Sequence, residues 1–174
     1  MSKIIQIDGY LIQSKLESVI KNLVGDRWNG AEILVSDKNK YRWDLSYKED
    51  NKIVFVEFDG DRHYREPFVI KNDNNKNRIA KESGCKVIRI PYWVQLTTQT
   101  LKYYFDIDNE INQNFPHGFI TSKWFPSSYC ELGLERFAKE LLTLPENVRF
   151  DVVKSLRERS LEHGVKYVVP HGLL

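Results

Sequence analysis

The run KIVFVEF, Lys52 to Phe58, constrains the fold of this chain more than any other segment. Its β-branched and aromatic residues favour a strand. Two runs of similar texture, AEILVSD and YRWDLSY, precede it across the short polar turns KNK and KEDN. Three such runs predict an antiparallel meander. The third run ends in acids, at Glu57 and Asp59, where an apolar strand would ordinarily end in neutral turn residues.

The segments on either side predict helices that pack on this sheet. Residues 11 to 24, LIQSKLESVIKNLV, place apolar side chains at helical spacing before Gly25. Residues 68 to 84 are polar and end on a glycine, as many helices do. CKVIRI then predicts a buried strand parallel to KIVFVEF. The run WVQLTTQTLKYYFDI predicts one more helix.

The texture of the chain changes after Asn114. FPHGFITSKWFPSS predicts an ordered loop. Two helices are predicted next, in CELGLERFAKELLTL and PENVRFDVVKSLRERSLEH, and VKYVVP predicts a closing strand. We therefore expect an α/β fold with a mixed central sheet flanked by helices in the order αβββαβα. Residues 1–113 would form the core, and residues 114–174 an α-rich C-terminal extension packed on it.

Length and composition limit the class of protein. A chain of 174 residues that is 41% hydrophobic suits one globular domain. Its apolar runs are far shorter than the ~20 residues that span a bilayer, and MSKIIQIDGY lacks a signal-peptide core. We expect a cytoplasmic protein without a membrane partner. Two distant cysteines, Cys85 and Cys130, indicate neither a disulfide framework nor a zinc site.

The distribution of charge along the chain fits two interpretations. The net charge of +2 does not by itself require nucleic acid. Acids concentrate in residues 44 to 61, and basic residues follow closely from Lys71 to Arg89. An acidic pocket bordered by a basic segment suits a polyanion bound beside a metal, and it equally suits a solvated helix face.

The acids themselves suggest a metal site. Asp44 interrupts a half-buried strand, and Glu57 follows four apolar residues. A lone buried carboxylate costs several kcal/mol unless it is paired or bound to a cation. Neighbouring strands can present both acids to one point, where hard oxygen donors suit Mg²⁺, with Mn²⁺ as a substitute. Such a site supports phosphodiester hydrolysis.

An alternative is structural: the acids would form ion pairs with nearby arginines, namely Arg42, Arg62 and Arg65. Three side chains within sequence reach, His63, Lys71 and Lys76, could instead supply a base or a cation for catalysis.

The order WDLSY, IVFVEFDGDRHY, DNNKNRIAKESGCKVIRI resembles the PD-(D/E)XK nuclease superfamily. Within it, the pattern is similar to the very-short-patch-repair endonuclease branch and its homing-endonuclease relatives, which are marked by Glu-Asp-His-Asp residues. The resemblance spans roughly residues 10 to 95. It implies a restriction-endonuclease-like fold and a Mg²⁺-dependent DNA endonuclease that leaves 5′-phosphate products.

The resemblance also implies roles for single residues. Asp44, Glu57 and the backbone carbonyl of Phe58 would bind the metal. His63 would act as acid or base, and Asp73 would orient it or a metal-bound water. The motif further assigns Glu17 in the first helix, Asp59 and Gly60 in the turn, and Lys76 in the pair Asp73-x-x-Lys76.

This sequence departs from the superfamily at one catalytic position. Asp59 stands where the superfamily has its lysine, so either His63 or Lys71 replaces that lysine or catalysis is impaired. The cysteine and histidine set of the mismatch-repair branch is also missing, which argues against T:G mismatch specificity.

Candidate nucleic-acid contacts are Lys76, Arg78, Lys123 and Trp124, the last two in the loop. Three functions stay open. The first is DNA cleavage in homing, restriction, repair or phage DNA processing, and the second is a structure-selective junction resolvase acting as a homodimer. The third is a non-catalytic nucleic-acid-binding or protein-interaction module on the same fold.

Overall fold

The computed structural model describes residues 4–36, 39–115, 117–119 and 124–170, and confirms the α/β class with a mixed sheet flanked by helices. The strands are Ile5–Ile7 (β1), Trp28–Ser36 (β2), Asn39–Glu49 (β3), Lys52–Asp59 (β4), Lys86–Pro91 (β5) and Ile111–Gln113 (β6). The helices are Gln13–Val24 (α1), Arg62–Arg65 (α2), Pro67–Glu82 (α3), Thr98–Phe105 (α4), Glu131–Thr143 (α5), Glu146–His163 (α6) and Val165–Val168 (α7).

The central sheet has the strand order β2-β3-β4-β5. The first three strands form the predicted antiparallel meander, and β5 is parallel to β4 after the α3 crossover. Gly30 pairs with Ser46 and Glu32 with Trp43, so three steps along β3 oppose two along β2. This irregularity is a β-bulge, a feature that re-aims side chains and is common beside active sites. Asp44 lies within it.

The two faces of the sheet have different partners. On one face, Val56 of β4 lies in a core cluster with Leu16 and Ile20 of α1. On the other, Phe55 packs with Trp43 and with Ala80 of α3. Because side chains alternate along a strand, Glu57 and Asp59 share the α3 face with Phe55. The predicted acids are therefore held between the sheet and α3.

Helix α4 and the strand pair β1 and β6 differ from the sequence predictions. Helix α4 begins only after Thr97, which forms a reciprocal capping box with Thr100, so the residues from Tyr92 to Leu96 are not helical. They are buried instead. The short parallel pair β1 and β6 was not predicted, because three-residue strands carry almost no periodic signal.

The extension shares a core with the residues that precede it. Tyr64, Tyr92 and Trp93 lie in one apolar cluster with side chains of α5 and α6, among them Phe137 and Val152. The predicted strand VKYVVP is wrong, since Val165–Val168 is a short helix. Gly164 begins it at φ 90, and the buried Val168 and Val169 complete the cluster. No helix in the described ranges is both long and apolar enough to cross a membrane.

Candidate active site

The side chains of Asp44 and Glu57 meet just beyond the last paired residues of β3 and β4. The register that pairs Leu45 with Val56 continues to these two acids. The backbone N–H of Asp44 donates to Oε1 of Glu57 at 3.1 Å, and that of Phe58 donates to Oδ2 of Asp44 at 3.1 Å. Each carboxylate thus satisfies a backbone donor on the other strand. The structure brings together the two acids that the sequence assigned to a metal.

Lys76 of α3 reaches this pair from above the sheet. Its ammonium donates to Oε1 of Glu57 at 2.5 Å, and the two side chains are only 9% and 8% exposed. The same ammonium lies 4.2 Å from the ring centre of Trp43, a favourable cation–π contact. Burial raises the pKa of Glu57, Lys76 opposes the rise, and the charge of Asp44 adds to it. The ammonium of Lys76 thus partly offsets the cost of burying the Glu57 carboxylate.

His63 and Asp73 form a second pair, one helical turn from the first along α3. Asp73 and Lys76 are three residues apart on α3 and so share a face. Nδ1 of His63 lies 2.6 Å from Oδ2 of Asp73, while Nε2 has no hydrogen bond to the described residues. Burial lowers the pKa of His63, but the hydrogen bond to Asp73 and the charges of Asp59 and Asp73 outweigh it and raise that pKa above 6.5.

Asp59 is fully buried beside this pair. Arg89 donates to its Oδ1 at 2.6 Å, Arg136 donates to its Oδ2, and Nδ1 of His63 lies 3.4 Å from Oδ1. Burial alone would raise the pKa of Asp59, but the two guanidinium groups hold it at about 2. Arg89 also places Nη2 3.2 Å from Oδ1 of Asp73, without the alignment of a hydrogen bond.

Asp59, His63 and Asp73 could together hold a metal ion. Each offers one ligand atom, and these atoms lie within 4.8 Å of one another. The group is already neutralised, however, because Arg89 and Arg136 both contact its two carboxylates. A divalent cation would have to compete with two guanidinium charges there.

Arg136 is the functional candidate that sequence reasoning missed. It lies on α5, 63 residues after Asp73, and donates to Oδ2 of Asp73 at 2.9 Å. Its Nε donates to Oε1 of Glu140 at 2.7 Å, and the hydroxyl of Tyr64 donates to Oε2 of Glu140 at 2.6 Å. A single arginine in an amphipathic helix carries no local signal for such contacts, so only the fold could reveal them.

The alternative ion pairs with nearby arginines do not form. Arg62 pairs with Glu66 and Arg65 pairs with Asp61, each one turn along the chain, and Arg42 is exposed. The site acids take their cations from Lys76, Arg89 and Arg136 instead.

The other predicted residues lie apart from the acids. Glu17 is exposed on α1 and Lys71 is exposed on α3, and neither has an ion pair or hydrogen bond to the site acids within the described ranges. Arg78 is also exposed on α3 and pairs with Glu82. Trp124 is half-buried, with the guanidinium of Arg65 3.9 Å from its ring centre. Lys123 lies outside the described residues.

Comparisons with protein-family models, with curated proteins and with solved structures give no match for this chain. The chemical groups of the arrangement determine what it can do. It offers a carboxylate pair with unsatisfied oxygens, an imidazole with one free nitrogen, and a carboxylate that fixes the other nitrogen. Those are the groups required to bind a hard cation and to transfer a proton beside it.

Proposed function

We propose that this protein is a metal-dependent DNA endonuclease of the PD-(D/E)XK type, related in its site to the very-short-patch-repair branch. One observation carries the proposal: Asp44 and Glu57 lie side by side, and the His63–Asp73 pair adjoins them on the same face of α3. The sequence pattern of that superfamily requires this convergence of residues from β3, β4, α2 and α3.

The carboxylate pair fits Mg²⁺ or Mn²⁺. Oδ1 of Asp44 and Oε2 of Glu57 accept no hydrogen bond from the described residues, so each acid keeps a free oxygen. A metal at this pair would compete with one ammonium, that of Lys76, whereas at the Asp59 group it would compete with two guanidinium groups. Hard oxygen ligands of this kind suit Mg²⁺, which takes few carboxylates and keeps its waters. The backbone carbonyl of Phe58 is the third proposed ligand.

The bound cation would polarise a phosphoryl oxygen and offset charge on the displaced oxygen. The protein's own groups would move the proton. His63 presents Nε2 as a free acceptor, because Asp73 accepts from Nδ1–H and thereby fixes the tautomer. Water that attacks the phosphorus would lose its proton to Nε2, and Asp73 would stabilise the imidazolium that forms.

The exposed face of α3 is suited to a polyanion. Lys71, Arg78 and Lys81 are exposed along α3, the helix that also carries Asp73 and Lys76. Exposed basic side chains position phosphates without reading sequence. DNA is accordingly the proposed substrate. Helical spacing places Lys71 and Arg78 on the side of α3 away from Asp73 and Lys76, so they would contact phosphates that flank the cleaved bond.

The test is cleavage of supercoiled plasmid, linear duplex and single-stranded DNA with Mn²⁺ or Mg²⁺. Three variants are compared with the parent: Asp44→Asn, His63→Gln and, as a matched control, Arg157→Ala, whose side chain is exposed on α6. Cleavage that needs the metal, disappears in the first two variants and persists in the control would support the proposal. Absence of cleavage by the parent, together with DNA binding in chelator, would favour a binding module instead.

A further inference from the structure

We infer that Arg136, contributed by the C-terminal extension, is a positioning residue for the His63–Asp73 pair. The inference rests on the nuclease function proposed above, because it assigns Arg136 a role in the same proton transfer. Arg136 does not reach the carboxylate pair Asp44 and Glu57. It acts through His63.

Hydrogen bonds join Arg136, Asp73 and His63 in a closed ring. Nη1 of Arg136 donates to the backbone carbonyl of His63 at 3.2 Å and to Oδ2 of Asp73 at 2.9 Å. The same Oδ2 lies 2.6 Å from Nδ1 of His63. One guanidinium nitrogen therefore holds both the backbone of the histidine and the acceptor of its ring. Rotation of the imidazole away from Asp73 would break this ring of hydrogen bonds.

The fold delivers Arg136 to this place by docking α5 on the residue next to His63. The backbone N–H of Cys130 donates to the carbonyl of Tyr64 at 3.1 Å. A Cβ at Gly133 would lie 1.7 Å from that carbonyl oxygen, so only glycine permits the approach. Arg136 follows Gly133 by three residues and thus lies on the same helix face. The extension completes the site rather than merely covering it.

Charge balance alone does not explain Arg136. Arg89 already contacts both Asp59 and Asp73, at 2.6 and 3.2 Å. Arg136 adds a planar fork that reaches three acids and a carbonyl at once, which an ammonium cannot do. If Arg136 served only as a charge, lysine would replace it. If Arg136 positions His63, lysine in its place would not maintain the cleavage rate.

The experiment compares Arg136→Ala and Arg136→Lys with the parent and with Arg157→Ala as a control for losing a surface arginine. We expect both Arg136 variants to lose about 10- to 100-fold in cleavage rate, the range for residues that orient a working ligand. Added guanidinium ion should partly restore Arg136→Ala but not Arg136→Lys. The added guanidinium ion would reach the vacated position through a pocket of about 240 Å³ that is lined by Asn74, Asn77 and Arg136.

A spectroscopic readout separates this inference from the proposed function. Long-range ¹H–¹⁵N spectra at a pH above the raised pKa of His63 report which ring nitrogen of the neutral imidazole carries the proton, with His63→Gln for assignment among the four histidines. The parent should show protonated Nδ1, and Arg136→Lys should show a mixture of tautomers.

Each failure has its own signature. A parent that cleaves no DNA ends the nuclease proposal, whatever the spectra show. Identical ring spectra for the parent and Arg136→Lys, or full cleavage activity in Arg136→Lys, overturn the positioning role. Arg136→Lys keeps the buried charge, so it decides the question if Arg136→Ala does not fold.

Discussion

The ammonium of Lys76 lies 2.5 Å from Oε1 of Glu57, and both side chains are more than nine-tenths buried. Breaking a buried pair leaves an uncompensated charge, which costs about 3–5 kcal/mol. We therefore expect Lys76→Met to lose about that much free energy of unfolding, measured by denaturant titration in chelator. The double variant Lys76→Met with Glu57→Gln should lose clearly less, because it removes both charges.

Two controls sharpen this prediction. Lys154→Met, an exposed lysine on α6, should change the unfolding free energy by less than about 0.5 kcal/mol. Mn²⁺ should stabilise Lys76→Met more than it stabilises the parent, since the ammonium no longer competes for Glu57. Equal losses in the single and double variants would mean that the charge on Glu57 is not the cause.

A metal at the Asp44–Glu57 pair and a metal at the Asp59–His63–Asp73 group would respond oppositely to substitution. Arg89 and Arg136 already neutralise Asp59 and Asp73, whereas Asp44 keeps a free oxygen. At one hundred times its dissociation constant, Mn²⁺ adds about 2.7 kcal/mol, or roughly 5–10 °C in Tm for a chain of this size. We expect Asp44→Asn to abolish this shift in Tm and His63→Asn to retain it. The reverse pattern would move the metal to the Asp59 group.

Gly133 and Gly60 form a matched pair for testing how the extension docks. A Cβ at Gly133 would lie 1.7 Å from the carbonyl oxygen of Tyr64, whereas a Cβ at Gly60 would meet nothing within 4 Å. Backbone cannot yield as a flexible side chain can, so Gly133→Ala should cost about 3 kcal/mol, the upper end for overpacking. Gly60→Ala should be nearly neutral in the same denaturant titration. A neutral Gly133→Ala would show that α5 can dock in another way.

The parts of this fold that follow from local pattern were predictable, and the rest depends on distant contacts. The meander follows from strand texture, α1 from helical spacing and α3 from a polar run that ends on glycine. The pairing of Asp44 with Glu57 follows from strand register. The partners of Asp59 do not, because Arg136 lies 77 residues away and an isolated arginine has no local signature.

Tyr47 gives the protein a specific sensitivity to alkaline pH. Burial raises the pKa of Tyr47 to about 12, Glu49 adds to the rise, and Arg27 opposes it. The unfolded phenol titrates near pH ~10, so the stabilising contribution is complete below that pH and is lost as pH rises toward 12. Its hydroxyl also has no hydrogen-bond partner within the described ranges.

Tyr47→Phe should therefore lose less stability on going from neutral to strongly alkaline pH than the parent does. We expect the difference to be about 1 kcal/mol midway through the window, measured as denaturant unfolding free energies of both proteins at two pH values. Tyr103→Phe, an exposed tyrosine on α4, is the control. Parallel losses in the parent and Tyr47→Phe would assign the alkaline sensitivity to other groups.

The shared core predicts that residues 1–113 cannot fold alone. Tyr64, Tyr92, Trp93 and Val94 are each no more than 3% exposed, packed in one cluster with α5 and α6. Exposing four large side chains at about 1.5–3 kcal/mol each would cost about 6–12 kcal/mol, which rivals the whole stability of a typical domain. We expect the fragment 1–113 to show no cooperative unfolding transition by near-UV circular dichroism, and Phe137→Ala in the full chain to cost about 3–5 kcal/mol. A fragment with the parent's denaturant midpoint would show instead that the cluster with α1 suffices, and Arg136 would then belong to a separable module.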